Sequence, residues 1–509
     1  MKSIVRLLLC LIALAATPLR ADPSDIAAAS RGVVRVVLVA SDGEAVQYIG
    51  HGSGFAVSPT LIVTNAHVIA PAREDDSMLI GVVPSEGASG YLARIVAISP
   101  RNDLALLRLV DKGSVAPLTL FPGAIEDGAE VYAVGYPGNV DLAQGLSLSE
   151  IVEPQAVVKT RGYLSAGRSS RQFETLLHTA PIGSGNSGGP LLDSCGRVIG
   201  VNSFGTVSEG ADSEFYFAVS PRELAGFLRE AGVKPRLGAM PCRSLADLDR
   251  AETERAAGER AGAEAQARSQ SLASDRAQAT AQRRAELAVI ASRENGLALA
   301  ALLLVGALAA GGTAALFELR GGRRNALIAG GVGGALLLGA VVVWFTRPPL
   351  EAIDERAAAA LAKDDRSARA NDRADGTGAM ICVVDPARSR ATVSDVADVA
   401  LDWTSEGCVN ARTQYGLADQ QWSRILVPNQ EATVSVNSYD PATRVYKVER
   451  FLLALEAMTA ARAARGKYEA PSCGGGEDVA RQLGNDQAAI RAVLPASPNE
   501  RLVYKCQAR

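Results

Sequence analysis

The sequence predicts a modular chain made of an all-β unit, a long helix, a pair of membrane-spanning helices and a small α+β domain. Three observations lead to this prediction. From residue 32 to about residue 232, short β-rich runs alternate with Gly, Pro, Asp and Asn, which is typical of a sandwich or of barrels. Residues 243–346 contain no proline, as a long helix requires. Two uncharged apolar runs lie within this proline-free stretch, at 296–317 and 326–345.

The length and composition of the chain limit its functional class. At 509 residues it is too long for one core, and about 150 residues per domain predicts two or three units. The net charge is −3, from 52 basic and 55 acidic residues, so the composition indicates no nucleic-acid or other polyanionic partner. Metal-binding spacing such as Cys-x-x-Cys does not occur in the sequence, and we expect neither a metal nor an organic cofactor.

Residues 1–21 have the pattern of a secretory signal peptide. Basic residues precede an apolar run from Leu7 to Ala16, and small residues follow it. This run is about half of the roughly 20 residues that a spanning helix needs, so we expect cleavage after Ala21; the alternative is an uncleaved anchor. Cys10 follows Leu9, where a lipoprotein cysteine needs a small residue, and is interpreted as an apolar filler. Whether the signal segment is cleaved or kept as an anchor, the segment that follows it is expected to leave the cytoplasm.

The all-β unit is predicted to span residues 22–235 and to end in one helix. Ser220 is expected to be the N-cap of that helix, Pro221 its first residue and Glu223 the reciprocal capping-box acid. Residues 243–295 are rich in Ala, Arg, Glu and Gln and predict a helical stalk. Its large apolar residues are too far apart for the seam of a coiled coil, so we expect a solvated helix.

The two apolar runs predict a transmembrane hairpin with helices at 296–317 and 326–345. Each run is long enough to cross a hydrocarbon core of about 30 Å. The connector at 318–325 carries three arginines, which the positive-inside rule assigns to the cytoplasm. Both ends of the hairpin are then outside the cytoplasm, as the signal peptide also requires.

Residues 346–378 are predicted to be a helical linker, and residues 379–509 an extracytoplasmic α+β domain braced by disulfides. Six cysteines follow the signal peptide, an even number that is compatible with disulfides in an oxidising compartment. Cys195 either pairs with Cys242 or remains a free thiol. The other four lie beyond residue 350, and pairing within that region is the simplest expectation. They are Cys382, Cys408, Cys473 and Cys506.

Three residues of the β unit have the chemistry of a hydrolytic site. His67 stands in IVTNAHVI, Asp103 in RNDLALLRL and Ser187 in GSGNSGGP. Each alone has an ordinary explanation, as a packed histidine, a strand-entry turn or a glycine turn. Together they are more specific, because a serine needs a base to remove its proton and the base needs a carboxylate to fix its tautomer. The chain order His, Asp, Ser is one of the known orders of this triad.

The glycines around Ser187 predict an oxyanion hole. The main-chain N–H groups of Gly185 and Ser187 can point at one spot, and Gly188 and Gly189 let a substrate approach closely. The remaining histidines carry weaker signals. His178, on a strand before the serine, is expected to be structural, and His51 is assigned no role.

At these motifs the sequence resembles the chymotrypsin-fold serine proteases, and most closely the bacterial HtrA/Deg-like trypsin-type group. The matching segments lie between about residues 30 and 232 and are GSGFAVS, IVTNAHVI, DLALLRL, GNSGGPLLD, GRVIGVNSF and YFAVSP. The resemblance implies two six-stranded β-barrels with the triad in their cleft. It also implies that Ser187 is the nucleophile and His67 the general base and then acid. A helical stalk follows the β unit instead of a PDZ-like segment, which puts PDZ-gated assembly in doubt.

Some positions depart from the pattern of the resembling family. Asn186 precedes Ser187, where digestive relatives have the aspartate that captures a new N-terminus, so that route of activation is not expected. Pro181, next to Ile182, stands at the position of the specificity aspartate of trypsins, which implies small or apolar P1 residues. We expect the substrate to dock as a strand along residues 201–205. These residues are Val201, Asn202, Ser203, Phe204 and Gly205.

The leading hypothesis is a serine endopeptidase anchored in the inner membrane and facing the periplasm or the cell exterior. Its substrate is a protein or a peptide, and the C-terminal domain is expected to bind a regulator, a substrate or a wall component. Oligomerisation is left open. The alternatives are a non-catalytic peptide-binding sensor and a chaperone-like scaffold, both on a protease fold.

Overall fold

The computed structural model describes residues 23–41, 46–75, 77–87, 89–110, 112–169, 173–206, 214–368, 376–394 and 396–509. The predicted signal peptide lies outside these residues. The chain divides into two compact units, one formed by Met1–Glu252 with Asp375–Arg509 and the other by Thr253–Ala374.

A closed six-stranded barrel follows the short helix α1 (Pro23–Ser30). Its strands pair in the order β1-β2-β3-β6-β5-β4, and helix α2 (Pro71–Glu74) connects β3 to β4. β-branched and aliphatic side chains fill the interior, where Val36, Ile62 and Leu107 have no exposed surface. The strands are β1 (Val33–Ser41), β2 (Val46–Ser58), β3 (Leu61–Thr64), β4 (Met78–Pro84), β5 (Tyr91–Ser99) and β6 (Leu104–Leu109).

A second barrel closes because β11 pairs with both β8 and β12. The short strands β7 (Thr119–Leu120) and β14 (Arg236–Leu237) extend its sheet. The two six-stranded barrels that the resemblance implied are therefore confirmed. The barrel strands are β8 (Glu130–Gly135), β9 (Val158–Ser169), β10 (Glu174–His178), β11 (Pro190–Leu192), β12 (Val198–Gly205) and β13 (Tyr216–Val219), with helices α3 (Gly138–Gln144) and α4 (Leu148–Ile151) between β8 and β9.

Helix α5 (Pro221–Glu230) follows the second barrel. Its N-cap is Ser220, whose Oγ accepts a hydrogen bond of 3.3 Å from the Glu223 N–H, as predicted. The predicted capping box is wrong. The Glu223 carboxylate instead accepts from the main-chain N–H of Glu174 at 3.2 Å and from Asn102 at 2.9 Å. These tertiary partners replace the local bond back to the N-cap.

The predicted stalk and the first predicted membrane helix are one continuous helix, α6 (Leu245–Leu319). It stays unbroken because it has no proline, and each internal glycine costs only about 1 kcal/mol. Helix α7 (Arg323–Phe345) runs back antiparallel to it, and a Cβ at Gly333 would lie 3.3 Å from the Ala307 carbonyl oxygen of α6. Both helices are long and apolar enough to cross a membrane. A shorter helix, α8 (Ala352–Ala368), follows.

The last part of the chain is an α+β domain, as predicted. In the part of the chain that the structure describes, its sheet has nine strands in the order β18-β17-β16-β15-β23-β22-β21-β20-β19. Helices α9 (Leu455–Arg465), α10 (Gly476–Asp486) and α11 (Ala488–Arg491) accompany it. The strands are β15 (Gly378–Val384), β16 (Val399–Trp403), β17 (Cys408–Val409), β18 (Thr413–Gln414), β19 (Gly416–Ala418), β20 (Gln421–Leu426), β21 (Thr433–Asp440), β22 (Val445–Leu452) and β23 (Glu500–Ala508).

The cysteines pair as the sequence suggested. Cys382 pairs with Cys506 and Cys408 with Cys473, both within the last domain. The choice left open for Cys195 is settled as a disulfide with Cys242. This bond fastens the segment that leads into α6 to the β11–β12 turn.

Two ion pairs, one of them buried, join the last domain to helices on either side of the barrels within the first compact unit. Asp25 of α1 pairs with Arg390, and each side chain is only 1% exposed. The amide of Asn499 also donates to Asp25 at 3.0 Å. Asp249, at the start of α6, pairs with Arg501 of β23. The C-terminal domain is therefore built onto the barrels.

Candidate active site

The candidate catalytic residues come from both barrels. His67 follows β3 and Asp103 immediately precedes β6, so both belong to the first barrel. Ser187 lies in the loop between β10 and β11 of the second barrel. Asp103 has a φ of 51°, a left-handed conformation that aspartate tolerates better than most residues. The amide of Asn65 fixes this turn by donating to the Asp103 carbonyl at 2.7 Å.

His67 and Asp103 are in direct contact. The Nδ1 atom of His67 lies 3.0 and 2.9 Å from the two carboxylate oxygens, and its main-chain N–H donates to Oδ1 at 3.1 Å. A carboxylate only accepts, so Nδ1 carries the proton and Nε2 is free to act as a base. The imidazole is 51% exposed, which leaves Nε2 accessible from the cleft.

Ser203 on β12 completes the surroundings of Asp103. Its Oγ donates to Asp103 Oδ2 at 2.5 Å. Burial alone would raise the pKa of the Asp103 carboxyl, but hydrogen bonds from His67 and Ser203 outweigh it and hold this pKa below its usual value. Asp103 therefore stays ionised beside the imidazole.

The hydroxyl of Ser187 points to Ser203. Its Oγ donates to the Ser203 carbonyl oxygen at 2.9 Å. Since a serine hydroxyl has one proton, this bond takes the place of a bond to the imidazole of His67. The structure thus brings His67 and Asp103 together and connects Ser187 to Asp103 through Ser203.

Most carbonyl groups of the loop from Gly183 to Gly189 accept a hydrogen bond, whereas several of its N–H groups donate none in the described part of the chain. Ser53 binds this loop twice, through Oγ to the Gly185 carbonyl at 2.7 Å and through its N–H to the Ser187 carbonyl at 2.8 Å. Among the described residues, the main-chain N–H groups of Gly185 and Ser187 donate no hydrogen bond. Gly185 has a φ of +98°, and a Cβ there would lie 2.3 Å from the Tyr136 carbonyl oxygen. Only glycine fits this turn.

Comparison with known proteins agrees with this geometry. Residues 52–201 match the family model of the trypsin-like peptidase domain. The serine protease Rv3671c of Mycobacterium tuberculosis is 30% identical over 207 residues, which are 41% of this chain and 48% of that protein. The magnetosome formation protease MamE of Paramagnetospirillum magneticum is 33% identical over 196 residues, 36% of this chain and 24% of that protein. Serine protease HTRA1 of Xenopus tropicalis is 34% identical over 186 residues, 35% of this chain and 36% of that protein.

Residues 52–201 are a trypsin-like peptidase domain. The relatives named above confirm the resemblance to the HtrA-like group. The matched segment contains His67, Asp103 and Ser187, and Ser203 lies two residues beyond its end. The chain spans less than half the length of these curated relatives.

A polar cluster lies behind the loop from Gly183 to Gly189 of the trypsin-like domain. The Nε2 atom of His51 bonds to the Tyr136 carbonyl at 2.9 Å, and Nδ1 faces the hydroxyl of Tyr48 at 2.5 Å. Asp141 lies 3.4 Å from Nε2 and pairs with Arg35 at 2.8 Å. Burial is the main cause that lowers the pKa of His51. Sequence analysis assigned no role to His51. In the structure its Nε2 would lie 2.7 Å from a Cβ at Gly185, so the ring packs directly against this loop.

His178 lies inside the second barrel of the trypsin-like domain. It has no exposed surface, and its ring is 5.9 Å from that of Tyr216. Burial lowers the pKa of His178 from 6.5 to about 4, so the side chain is neutral at physiological pH. This environment agrees with the structural role expected for it.

The segment expected to bind substrate has two different parts. Val201 is fully buried and pairs with Pro190 on one side and Val219 on the other. Asn202 is fully buried as well. Phe204 is 44% exposed and, among the described residues, pairs only with β13. In the described part of the chain, the edge of β12 away from β13 therefore has no strand partner from Ser203 to Gly205.

The two residues expected at the base of the specificity pocket lie on the loop before Ser187. Pro181 is exposed and Ile182 is partly buried, and the Pro181 carbonyl accepts a 2.6 Å hydrogen bond from Thr160. Neither side chain carries charge.

Sequence reasoning missed two features of the site. It named Ser203 as a docking residue but not as a partner of Asp103, because the two residues are 100 positions apart in the chain. It also missed the cluster around His51, whose members come from four separate segments. The short distance between Tyr48 and His51 in the sequence was the one signal available.

Proposed function

We propose that this protein is a membrane-anchored serine endopeptidase that hydrolyses peptide bonds of protein substrates outside the cytoplasm. His67, Asp103 and Ser187 are its catalytic triad, and the N–H groups of Gly185 and Ser187 form its oxyanion hole. One observation carries the proposal. The imidazole of His67 is hydrogen-bonded to an ionised Asp103, and in the loop that carries Ser187 the N–H groups of Gly185 and Ser187 donate to no described residue, which leaves them available to bind an oxyanion.

The reaction begins when the Ser187 hydroxyl turns from the Ser203 carbonyl toward Nε2 of His67. We assign this motion to a change of the Ser187 side-chain rotamer. Ser187 Oγ then forms a bond to the scissile carbonyl carbon while its proton passes to His67 Nε2. The negative oxygen of the tetrahedral intermediate accepts hydrogen bonds from Gly185 and Ser187, an interaction in which each donor contributes about 3 kcal/mol.

The second half of the reaction uses the same groups. His67 gives its proton to the leaving nitrogen, and the C–N bond breaks to leave an acyl group on Ser187. A water molecule then attacks the acyl carbon while its proton passes to His67. His67 returns that proton to Ser187 Oγ as the bond between Oγ and the acyl carbon breaks, and the acid product leaves. Asp103 stays ionised throughout and stabilises the imidazolium each time it forms.

The chemistry around Pro181 supports a preference for small or apolar P1 side chains. Pro181 and Ile182 offer no carboxylate to a basic side chain. A substrate strand can add to the free edge that begins at Ser203, where Phe204 stacks on Phe217 at 4.7 Å.

The position of the hairpin supports membrane anchoring with both ends on one side. The first compact unit contains the residues both before and after the segment Thr253–Ala374. If this segment enters a membrane, it must therefore cross it an even number of times. Arg320, Arg323 and Arg324 between the helices favour a cytoplasmic connector. Disulfides in the rest of the chain favour an oxidising compartment, the periplasm in a cell with an inner membrane. The C-terminal domain then faces the same regulators or wall components as the protease.

A second function, peptide binding without catalysis, is favoured by one observation. Ser187 donates to the Ser203 carbonyl and not to His67. If Ser187 kept this hydrogen bond permanently, no base could remove the proton of its hydroxyl, and the protein could bind a peptide without cleaving it.

One experiment separates these functions. The full chain, purified in a neutral detergent, is treated with a fluorophosphonate probe and assayed on unfolded casein. The endopeptidase is expected to be labelled at Ser187 and to digest casein, and S187A to lose both properties. S184A, which changes an exposed serine of the same loop, is expected to keep them. No labelling and equal casein digestion by wild type and S187A would refute catalysis, and peptide binding retained in both would support the sensor.

A further inference from the structure

We propose that the C-terminal domain, with one residue of the second barrel, contains a binding site for a small molecule that carries phosphate or carboxylate groups. The site is a cavity of about 680 Å³ lined by residues of β20, β21, β22 and α9. It is separate from the candidate active site and does not depend on the proposed proteolysis.

Four arginines line this cavity. One carboxylate, that of Glu431, is among the lining residues as well. The fully buried Glu500 lies 3.8 Å from one of the four, Arg450, so positive charge remains in excess. The arginines are Arg236, Arg424, Arg450 and Arg465. The net charge of −3 for the whole chain conceals this local concentration.

Arg424 is the observation that points to a ligand. The residue is only 8% exposed, and its Nε and Nη1 atoms have no hydrogen-bond partner in the described part of the chain. Buried guanidinium groups are normally paired, because an uncompensated charge is costly in a protein interior. Burial and the neighbouring Arg465 lower the pKa of Arg424, which agrees with a cation that lacks a counter-ion. An anion in the cavity would supply the missing acceptors.

The sheet register puts the recognition groups on one face. Leu426 of β20 is opposite Ser435 of β21, and Ser435 is opposite Arg450 of β22. Arg424 is two residues from Leu426 on the same strand, so it shares that face. Arg465 reaches the cavity from α9, where its Nη1 donates to the Tyr468 carbonyl at 2.8 Å. These strands and the helix form a rigid support.

The size and chemistry of the cavity define the ligand class. Its volume lies within the range of about 300–1,000 Å³ that is usual for small-molecule sites. The planar guanidinium matches phosphate and carboxylate in bidentate fashion, and several arginines favour more than one negative charge. Ile425, Val427 and Pro428 add an apolar wall, which suits an organic anion. Arg236 comes from β14, so the bound anion would connect the barrels to the C-terminal domain.

Titration calorimetry on the full chain in neutral detergent tests the proposal. Pyrophosphate and citrate are titrated separately at constant ionic strength of about 0.15 M, where long-range attraction is screened. Saturable binding of at least one anion is expected, and the comparison of the two distinguishes phosphate from carboxylate ligands. In R424M, affinity is expected to fall about tenfold or more, as loss of a charge-assisted hydrogen-bond donor requires. R412M, at an exposed arginine of the same domain, is expected to bind like wild type.

A thermal measurement keeps the test independent of folding defects. Without ligand, R424M should melt at or above the wild-type temperature, since it removes an uncompensated buried charge. The anion should raise the melting temperature of wild type and R412M but not that of R424M. Near-ultraviolet circular dichroism, to which the neighbouring Trp403 and Trp422 contribute, checks the fold of the domain. The proposal is overturned if neither anion binds, or if folded R424M binds as tightly as wild type.

Discussion

Replacing Ser203 by alanine tests how the site keeps Asp103 ionised and oriented. The hydroxyl donates to Asp103 Oδ2 at 2.5 Å, while the carboxylate keeps its bonds from the imidazole and the main chain of His67. A hydrogen bond to a charged group contributes about 1.5–3 kcal/mol. If this loss falls on the transition state, S203A lowers kcat/KM by about 10-fold to about 150-fold.

The pH profile gives the Ser203 experiment a second readout. Without the hydroxyl, the pKa of Asp103 rises because one of the bonds that lowers it is gone, so the acid limb of kcat/KM moves to higher pH. The assay is casein hydrolysis by the full chain in detergent, with S184A as the matched control. A change in kcat/KM of less than about twofold, with an unmoved acid limb, would refute the role given to Ser203. An inactive wild type would instead refute the proposed protease function.

Further predictions concern stability. Burial lowers the pKa of His178 from 6.5 to about 4, so the neutral side chain contributes fully to the free energy of unfolding above pH 6.5, and this free energy falls by up to about 3 kcal/mol as the pH drops to 4. H178Q should lessen this loss of stability in acid when measured by pulse proteolysis, and an unchanged dependence of stability on pH would contradict the prediction. G188A, at a φ of +87° with a Cβ 2.2 Å from a carbonyl oxygen, should cost more than about 2 kcal/mol in urea unfolding, while G183A, with no contact below 3.4 Å, should cost less than half as much. D25A should lower the free energy of unfolding by about 3–5 kcal/mol, because it removes the carboxylate that pairs with the buried Arg390. The apolar double variant D25L/R390M should recover most of this loss, and equal melting temperatures of D25A and wild type would refute the importance of the pair.

The fold of the barrels could be predicted because its signals are local and repeated. Short β-branched runs, turn residues and the motifs around His67, Asp103 and Ser187 all lie within a few residues of the structure they determine. The continuous helix α6 went beyond the prediction, which placed a boundary at residue 295 where the composition changes from polar to apolar. The side chains of a helix decide whether it lies in water or in lipid, but they do not interrupt its backbone hydrogen bonds.

The features that escaped prediction depend on contacts between distant segments. The pair of Asp25 and Arg390 joins residues 365 positions apart. The Glu223 carboxylate accepts hydrogen bonds from Glu174 and Asn102 instead of from the N-terminus of its own helix. Periodicity and spacing describe neighbours along the chain, so they carry no information on which of many charged residues meet in space.

The central place of β23 in the last sheet has a consequence for biosynthesis. This strand pairs with β15 on one side and β22 on the other, and the Cys382–Cys506 bond closes the same seam. Until residue 500 and those after it have emerged from the ribosome, β15 and β22 each present an open edge that invites intermolecular pairing. A chain terminated early by a nonsense codon would therefore carry intact barrels beside a half-built, aggregation-prone sheet, and quality-control proteases would be expected to remove it.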